Sequence, residues 1–167
     1  IIVDSLKINN LLSLPDEQVS NKFLYDSILN SRLKLLKSNN IKYIIKDAKN
    51  FEKIKKKYQD IDPDIIIHLA AVSHANKSNK DPHTTFENSF RTLESSLEFA
   101  KIKKTHIIFI SSSMVYGNFS NAKVKESNPC SPIGIYGNLK LSGEMMVKSF
   151  SKIFNFPFTI VRPSALY

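Results

Sequence analysis

The side chains best suited to proton transfer in this sequence are three serines and a Tyr–Lys pair. Serines 111–113 follow directly after an apolar run, and Tyr136 lies four positions before Lys140. If a helix begins at Tyr136, both side chains lie on one face, because residues four apart on a helix are neighbours. An ammonium group beside a phenol favours the ionised form, so we expect the pKa of Tyr136 to fall from about 10 towards neutrality. Together these groups form a proton-transfer site for an alcohol or a ketone.

The serines need a strand that ends at them, and the Tyr–Lys pair needs a helix. The apolar run 107–110 is short and has polar residues on both sides, which is typical of a buried parallel strand. Similar runs alternate with helical stretches along the chain, and this alternation predicts an α/β fold with a doubly wound parallel sheet. The predicted strands cover residues 1–4, 41–45, 64–71, 107–110 and 156–161, and the predicted helices cover residues 21–38, 50–59, 82–103 and 136–154.

The composition is that of a globular protein. Of its 167 residues 42% are apolar, and no apolar run reaches the length of about 18 residues that spans a bilayer. The net charge of +9 is compatible with acidic partners, but Lys, Asn and Ile are frequent throughout and no nucleic-acid-binding motif is present, so we expect neither a nucleic-acid nor a membrane partner. The single cysteine, Cys130, favours a reducing compartment and a cytoplasmic location. His68 and His74 lack the spacing of metal ligands, and we expect no metal site.

Several segments resemble one known family, the extended short-chain dehydrogenase/reductases, in their NAD-dependent nucleotide-sugar epimerase/dehydratase branch. SSSMVYG and YGNLK resemble the family's active-site motifs, IIVDSL its second strand, and HLAAVSHA its fourth strand and cofactor loop. The resemblance implies a Rossmann fold, NAD as cofactor, a nucleotide-sugar substrate and a homodimer formed through the two long helices. It also implies that residues 1–167 are an NAD-binding domain truncated at both ends, without its first strand and Gly-rich loop and without the substrate domain.

The resemblance assigns catalytic roles to three residues. The family's substrate-binding Ser or Thr lies three positions before the valine of the Val-Tyr-Gly motif, which is Ser112. Tyr136 would be the general acid/base, and Lys140 its electrostatic partner and a ligand of the nicotinamide ribose. An ordinary helical Tyr–Lys pair without catalytic function is the alternative.

The same resemblance assigns the cofactor and substrate contacts. Asp4 would accept hydrogen bonds from the adenosine ribose, which favours NAD over NADP. Asp47 and Ala48 would touch the adenine, although Asp47 would serve equally well as the N-cap of the next helix. The remaining expected cofactor contacts are Leu69, Ala70, Ala71, Asn88, Tyr136, Lys140, Pro163 and Ser164, and the expected substrate contacts are Ser73, Ser112 and Tyr136.

The two residues that follow Ser112 indicate the type of reaction. Dehydratases of this branch carry an Asp–Glu pair there, whereas this sequence has Ser113 and Met114, and neither can act as such an acid or base. We therefore expect a sugar epimerase, or alternatively a reductase or dehydrogenase that releases its product. A non-catalytic relative that binds dinucleotide and a basic nucleic-acid-binding protein are further alternatives.

Overall fold

The computed structural model describes residues 1–6, 21–58, 60–71, 75–118 and 123–164. Its strands are β1 (Ile2–Asp4), β2 (Tyr43–Ile45), β3 (Ile65–His68), β4 (His106–Ile110) and β5 (Phe158–Val161). Its helices are α1 (Lys22–Ser38), α2 (Phe51–Tyr58), α3 (Ala75–Lys80), α4 (Pro82–Lys103) and α5 (Ile135–Phe154), with a 3-10 turn at Ser113–Tyr116. The chain divides into two compact units, Ile1–Ala48 and Lys49–Tyr167.

Each unit contains one parallel sheet. In the first unit β1 pairs with β2, with Asp4 opposite Ile45. In the second unit the order is β3-β4-β5, with β4 in the centre. In doubly wound folds with the strand order 3-2-1-4-5-6, the third strand neighbours the second, and the fifth lies between the fourth and the sixth. Both arrangements agree with this order if β1 and β2 are the second and third strands of the fold and β3, β4 and β5 are its fourth to sixth. The predicted α/β Rossmann fold is confirmed.

The core of the second unit lies between the sheet and the two long helices. Alternate residues of β4, Ile107 and Phe109, are buried, as expected for a strand that is packed on this face. They pack with α4, α5 and the chain before β5 through Leu93, Leu97, Ala100, Val147 and Phe156. Burying a large apolar side chain contributes about 1.5–3 kcal/mol. This core fixes the two helices against the carboxyl end of β4.

Helix boundaries follow local capping signals. The Asp81 carboxylate accepts a hydrogen bond from the Thr84 backbone N–H at 3.0 Å, and Pro82 occupies the first turn. As a result α4 spans the predicted residues. Helix α5 ends at Asn155, which adopts the left-handed conformation. No helix of the described residues is both long enough and apolar enough to cross a membrane.

Candidate active site

Serines 111–113 lie where β4 and β5 continue to pair beyond their ends. The Ser111 backbone N–H donates to the Val161 carbonyl at 2.7 Å, and the Ser113 N–H donates to the Pro163 carbonyl at 2.9 Å. The three serines are thus held at the carboxyl edge of the sheet. This is the edge at which open parallel sheets bind their ligands.

Ser112 combines a capping role with a contact to the phenol. Its backbone is extended, and its Oγ accepts a hydrogen bond from the Met114 N–H at 3.2 Å, which begins the 3-10 turn. Its hydroxyl also interacts with the phenol of Tyr136, and this interaction lowers the pKa of the phenol. Ser112 and Tyr136, 24 positions apart in the sequence, therefore meet in the structure.

Two glycines allow close backbone approaches around the 3-10 turn. An ideal Cβ on Gly137 would lie 2.7 Å from the Met114 carbonyl oxygen, so any side chain here would push the helix away from the turn. Gly117 has φ of +72°, and a Cβ there would lie 2.0 Å from the Ser131 carbonyl oxygen. The glycines that follow Tyr116 and Tyr136 thus serve close backbone approach.

The pKa of Tyr136 does not shift in the direction that the sequence predicted. Partial burial raises the pKa of the phenol, and the hydrogen bond from Ser112 offsets only part of this effect. The Lys140 ammonium lies 5.8 Å from the centre of the Tyr136 ring, but it donates to the Ile110 carbonyl at 2.7 Å. The predicted lowering towards neutrality is wrong for this structure, because the ammonium is directed to the strand end.

Lys140 occupies a partly buried position between α5 and β4. Its Nζ lies 5.3 Å from the centre of the Phe109 ring. Burial lowers the pKa of Lys140 from 10.5 to about 8, because removing an ammonium group from water disfavours its charged form. Near neutral pH Lys140 is therefore a cation that gives up its proton more readily than a surface lysine.

His68, at the end of β3, lies next to this lysine. Its ring is 4% exposed, its Nδ1 is 2.9 Å from the Ser96 hydroxyl, and it stacks on Phe109 with centroids 5.9 Å apart. Burial, together with the charge of Lys140, lowers the pKa of His68 to about 4, so the imidazole is neutral at pH 7. Its Nε2 has no hydrogen-bond partner among the described residues.

A small cleft joins these side chains. Its volume of about 20 Å³ is enough for one water molecule. It lies between β3, α4 and α5 and is lined by His68, Ala71, Ser89, Phe90, Leu93, Phe109, Tyr136, Leu139, Lys140 and Gly143. Tyr136 and Lys140 therefore share one concave surface with the small residue that follows β3.

The other predicted residues of this unit lie around the same edge. Ala70 is tethered to α4, because its carbonyl accepts a hydrogen bond from the Thr92 hydroxyl at 2.7 Å. Leu69 is exposed, and Asn88 is partly buried on α4. Pro163 and Ser164 follow β5, beside the serine cluster. Ser73 lies outside the described residues.

Asp4, Asp47 and Ala48 belong to the first unit. Asp4 ends β1, and its carboxylate accepts a hydrogen bond from the Leu6 N–H at 2.7 Å. Asp47 and Ala48 follow β2, the strand beside it. The alternative role of Asp47 as a helix cap belongs to Asn50 instead, whose side-chain oxygen accepts from the Lys53 N–H at 3.1 Å.

The sequence analysis missed a buried ion pair beside the serines. Glu144 is 0% exposed, and Arg162 binds its carboxylate through Nε at 2.8 Å and Nη2 at 2.6 Å. Ser111 donates to the same carboxylate at 2.6 Å. The signal for this cluster is an acid on the apolar side of a predicted helix, which requires a buried partner. Among the described residues no group of three or more His, Cys, Asp or Glu side chains is placed to hold a metal ion.

Comparison with known proteins places the chain in a family. The model of the family described as GDP-mannose 4,6 dehydratase matches residues 15–167. Protein CapI of Staphylococcus aureus is 27% identical over 149 residues, which are 88% of this chain and 45% of that protein. The dTDP-D-glucose 4,6-dehydratase of Homo sapiens is 30% identical over 131 residues, 77% of this chain and 37% of that protein.

A solved structure extends the similarity to nearly the whole chain. The UDP-glucuronic acid 4-epimerase from Bacillus cereus, in complex with NAD, superposes with a TM-score of 0.75 at 29% identity. The match covers 99% of this chain and 48% of that protein. The chain thus spans less than half the length of the relatives that it matches.

Proposed function

The chain belongs to the GDP-mannose 4,6-dehydratase family, and from this premise we propose that the protein is an NAD-dependent nucleotide-sugar epimerase. The resemblance inferred from the motifs SSSMVYG and YGNLK is confirmed at the level of the family. The proposal adds the type of reaction and the residues that carry it.

The observation that carries the proposal is the convergence of Ser112, Tyr136 and Lys140. A serine hydroxyl that interacts with a phenol can bind the same substrate oxygen to or from which the phenol transfers a proton. Lys140 lies one helical turn after Tyr136, and its Nζ is 5.8 Å from the centre of the Tyr136 ring. These groups come from a strand end and a helix, so neither element alone would bring them together.

We propose that the nicotinamide half of NAD binds at the edge of the sheet beside the cleft, since the cleft itself has room for only one water molecule. Ala70 and Ala71 are small, so a ligand can approach the backbone after β3 closely. Lys140, which lines the cleft with Ala71, has an ammonium with three hydrogen-bond donors for ribose hydroxyls. As the sequence predicted, we propose Asp4, Asp47 and Ala48 of the first unit as contacts of the adenosine half. We also propose Pro163 and Ser164 as further cofactor contacts and Ser73 as a substrate contact, again as the sequence predicted.

NAD held by these residues would supply the hydride acceptor for the sugar carbon and the hydride donor for the ketone. Ser112 binds the oxygen of that carbon by donating its hydroxyl hydrogen. Tyr136 takes the hydroxyl proton of the sugar during oxidation and returns it to the ketone oxygen during reduction. The raised pKa of the phenol keeps it protonated near neutral pH, which is the form that the second step requires. Lys140 would supply the positive charge that the tyrosinate needs in the first step once its ammonium points to the phenol instead of the Ile110 carbonyl.

The side chains after Ser112 favour epimerisation over dehydration. Ser113 and Met114 form the start of the 3-10 turn, and neither carries a carboxyl group. Removing water from a sugar needs an acid and a base besides the Ser–Tyr–Lys group. Although several relatives are named dehydratases, we therefore propose turnover at a single carbon.

The experiment that tests this function incubates the full-length protein with NAD and a panel of UDP-, dTDP- and GDP-sugars. An epimerase interconverts two sugars with no net change in NAD. Because the two sugars have the same mass, chromatography that separates the isomers detects the reaction. Strict consumption of NADH would show a reductase, and loss of one water from the product mass would show a dehydratase. Binding of NAD without any conversion across the panel would indicate a non-catalytic relative.

We also propose that the protein is a cytoplasmic homodimer that pairs through α4 and α5. The observation in support is that these helices keep large apolar side chains exposed, with Met145 62% and Ile153 71% accessible. Met146 and Phe150 of α5, in contrast, pack against the protein's own core. Sedimentation of Met145→Lys as a monomer, beside a dimeric wild type, would support this interface.

A further inference from the structure

The buried Glu144 carboxylate accepts hydrogen bonds from two other elements of the fold. Arg162, which follows β5, holds both of its oxygens, at 2.8 and 2.6 Å. Ser111, which follows β4, donates to Oε1 at 2.6 Å. Although burial raises the pKa of the Glu144 carboxyl, the hydrogen bonds from Arg162 and Ser111 outweigh it and hold the pKa below its usual range. At neutral pH Glu144 is therefore a carboxylate, and its hydrogen-bond donors come from the ends of β4 and β5.

Arg162 extends the cluster to the loop and the turn around the serines. Its Nη1 donates to the Tyr116 hydroxyl at 2.8 Å and to the Glu126 carbonyl at 3.2 Å. The guanidinium also lies over the Tyr116 ring, 4.9 Å from its centre. Lys148 on α5 is the other cation facing the carboxylate, at 3.9 Å. One guanidinium thus fixes the last residue of the 3-10 turn and α5 relative to β5.

Each member of this cluster is close in sequence to a residue of the proposed active site. Ser111 immediately precedes Ser112, and Arg162 immediately precedes Pro163. Glu144 lies one helical turn after Lys140 and two turns after Tyr136, on the same face of α5. Movement of this carboxylate therefore moves the helix that carries the phenol relative to the strand that carries the serine hydroxyl.

Fold stability alone gives little reason for a buried ion pair at this place. Desolvation of two charges offsets much of their attraction, and well-packed apolar residues of similar volume are often equally stabilising. An ion pair with bidentate geometry, in contrast, specifies direction as well as distance. This property is useful where two groups must meet at hydrogen-bond distance.

We propose that the Glu144–Arg162 pair, with Ser111, is a positioning device that sets the Ser112 hydroxyl against the Tyr136 phenol. The pair contacts neither the phenol nor the cleft, so it acts through the elements that it joins. This inference rests on the proposed function for its kinetic consequence, but its geometric content holds for the protein without cofactor or substrate.

The kinetic test uses Glu144→Gln in the full-length protein. Glutamine keeps the shape of the side chain and removes the charge, so the bidentate contact to Arg162 is lost. We expect kcat to fall about 100-fold, the effect of a displacement of about 1 Å in an active site. KM should stay within about threefold, because substrate binding far from the reacting carbon is unchanged. Val147→Ala, a buried change on the same helix within the apolar core, is the matched control and should lower Tm while leaving kcat unchanged.

A double variant separates positioning from stability. Glu144→Leu combined with Arg162→Met replaces the ion pair by apolar side chains of similar volume. We expect it to fold with a Tm close to that of the wild type, yet to show the same loss of kcat as Glu144→Gln. Wild-type kcat in a stably folded double variant would overturn the proposal, because it would show that any good packing suffices.

The second readout needs neither cofactor nor substrate. With 3-fluorotyrosine incorporated at position 136, the ¹⁹F resonance reports the environment and the titration midpoint of the phenol. We expect Glu144→Gln to shift both, because the contact with Ser112 loosens, and Val147→Ala to shift neither. An unchanged resonance in folded Glu144→Gln would overturn the inference. If the wild type converts no sugar but the resonance still shifts only in Glu144→Gln, the positioning role holds and the proposed function fails.

Discussion

Lowering the pH from 6.5 to 4 should destabilise the folded protein through the buried imidazole of His68. This ring is 4% exposed, and burial together with the nearby Lys140 lowers its pKa from 6.5 to about 4. In the unfolded chain the imidazole binds a proton below about pH 6.5, whereas the folded protein keeps it neutral down to about pH 4. Protonation therefore stabilises the unfolded state throughout this interval, and the free energy of unfolding falls with pH.

The size of the effect follows from the two pKa values. A decrease from 6.5 to about 4 in the folded state corresponds to about 3 kcal/mol, since one pH unit of pKa difference is worth about 1.4 kcal/mol. This contribution is fully present above pH 6.5 and is lost as the pH falls to 4. Because the ring is almost fully buried, solvent screening does little to reduce it.

The assay is the free energy of unfolding from urea titrations between pH 4 and pH 7.5, for the wild type and for His68→Asn. The asparagine amide can keep the hydrogen bond to Ser96 but does not titrate. The smaller asparagine side chain packs less well against Phe109, so the variant should be less stable than the wild type at pH 7. Between pH 6.5 and pH 4, however, its free energy of unfolding should fall by about 3 kcal/mol less than that of the wild type. His83→Asn, at an exposed position of α4, should follow the wild-type curve. Parallel curves for His68→Asn and the wild type would refute a buried neutral imidazole.

Three further predictions concern the elements around the site. In ¹³C-lysine NMR of the protein without NAD, one resonance should titrate near pH 8 and disappear in Lys140→Met, because burial lowers that pKa to about 8; a midpoint above pH 10 would contradict this. Gly117→Ala should lower the free energy of unfolding by about 3 kcal/mol, since φ is +72° and a Cβ would strike the Ser131 carbonyl. Gly134→Ala, where the nearest atom is 4.0 Å away, should cost no more than about 1 kcal/mol, and equal losses would refute the steric account. Asp81→Ala should cost about 1 kcal/mol in urea unfolding through loss of the α4 N-cap, and Asp81→Asn should retain most of it.

The helices and the sheet were predictable where local signals agree with the fold. Asp81 followed by Pro82 marks the start of α4, and the predicted end at Lys103 is also observed. Strands β1, β2, β3 and β5 are shorter than predicted, because apolar residues such as Leu69 continue beyond the hydrogen-bonded ladder, whereas β4 begins one residue earlier, at His106. Helix α3 was not predicted, since its sequence ANKSNK has no apolar period.

Within the candidate site, the sequence indicated which residues meet but not how their charges are arranged. Helical spacing placed Tyr136 and Lys140 on one face, as observed. The direction of the lysine could not be predicted, because its acceptor, the Ile110 carbonyl, lies 30 positions earlier in the sequence. For the same reason the partner of Glu144 was missed: Arg162 follows a different strand, and only the folded sheet brings the two together.

The most direct test of the central claim compares Tyr136→Phe with Tyr25→Phe in the full-length protein. Phenylalanine at position 136 keeps the ring and removes the group that transfers the proton, whereas Tyr25 is 52% exposed on α1. The measurement is kcat for nucleotide-sugar conversion beside NAD affinity from calorimetry. We predict that Tyr136→Phe lowers kcat by about 100-fold or more while NAD still binds, and that Tyr25→Phe changes neither. Unchanged turnover in a folded, NAD-binding Tyr136→Phe protein would contradict the account.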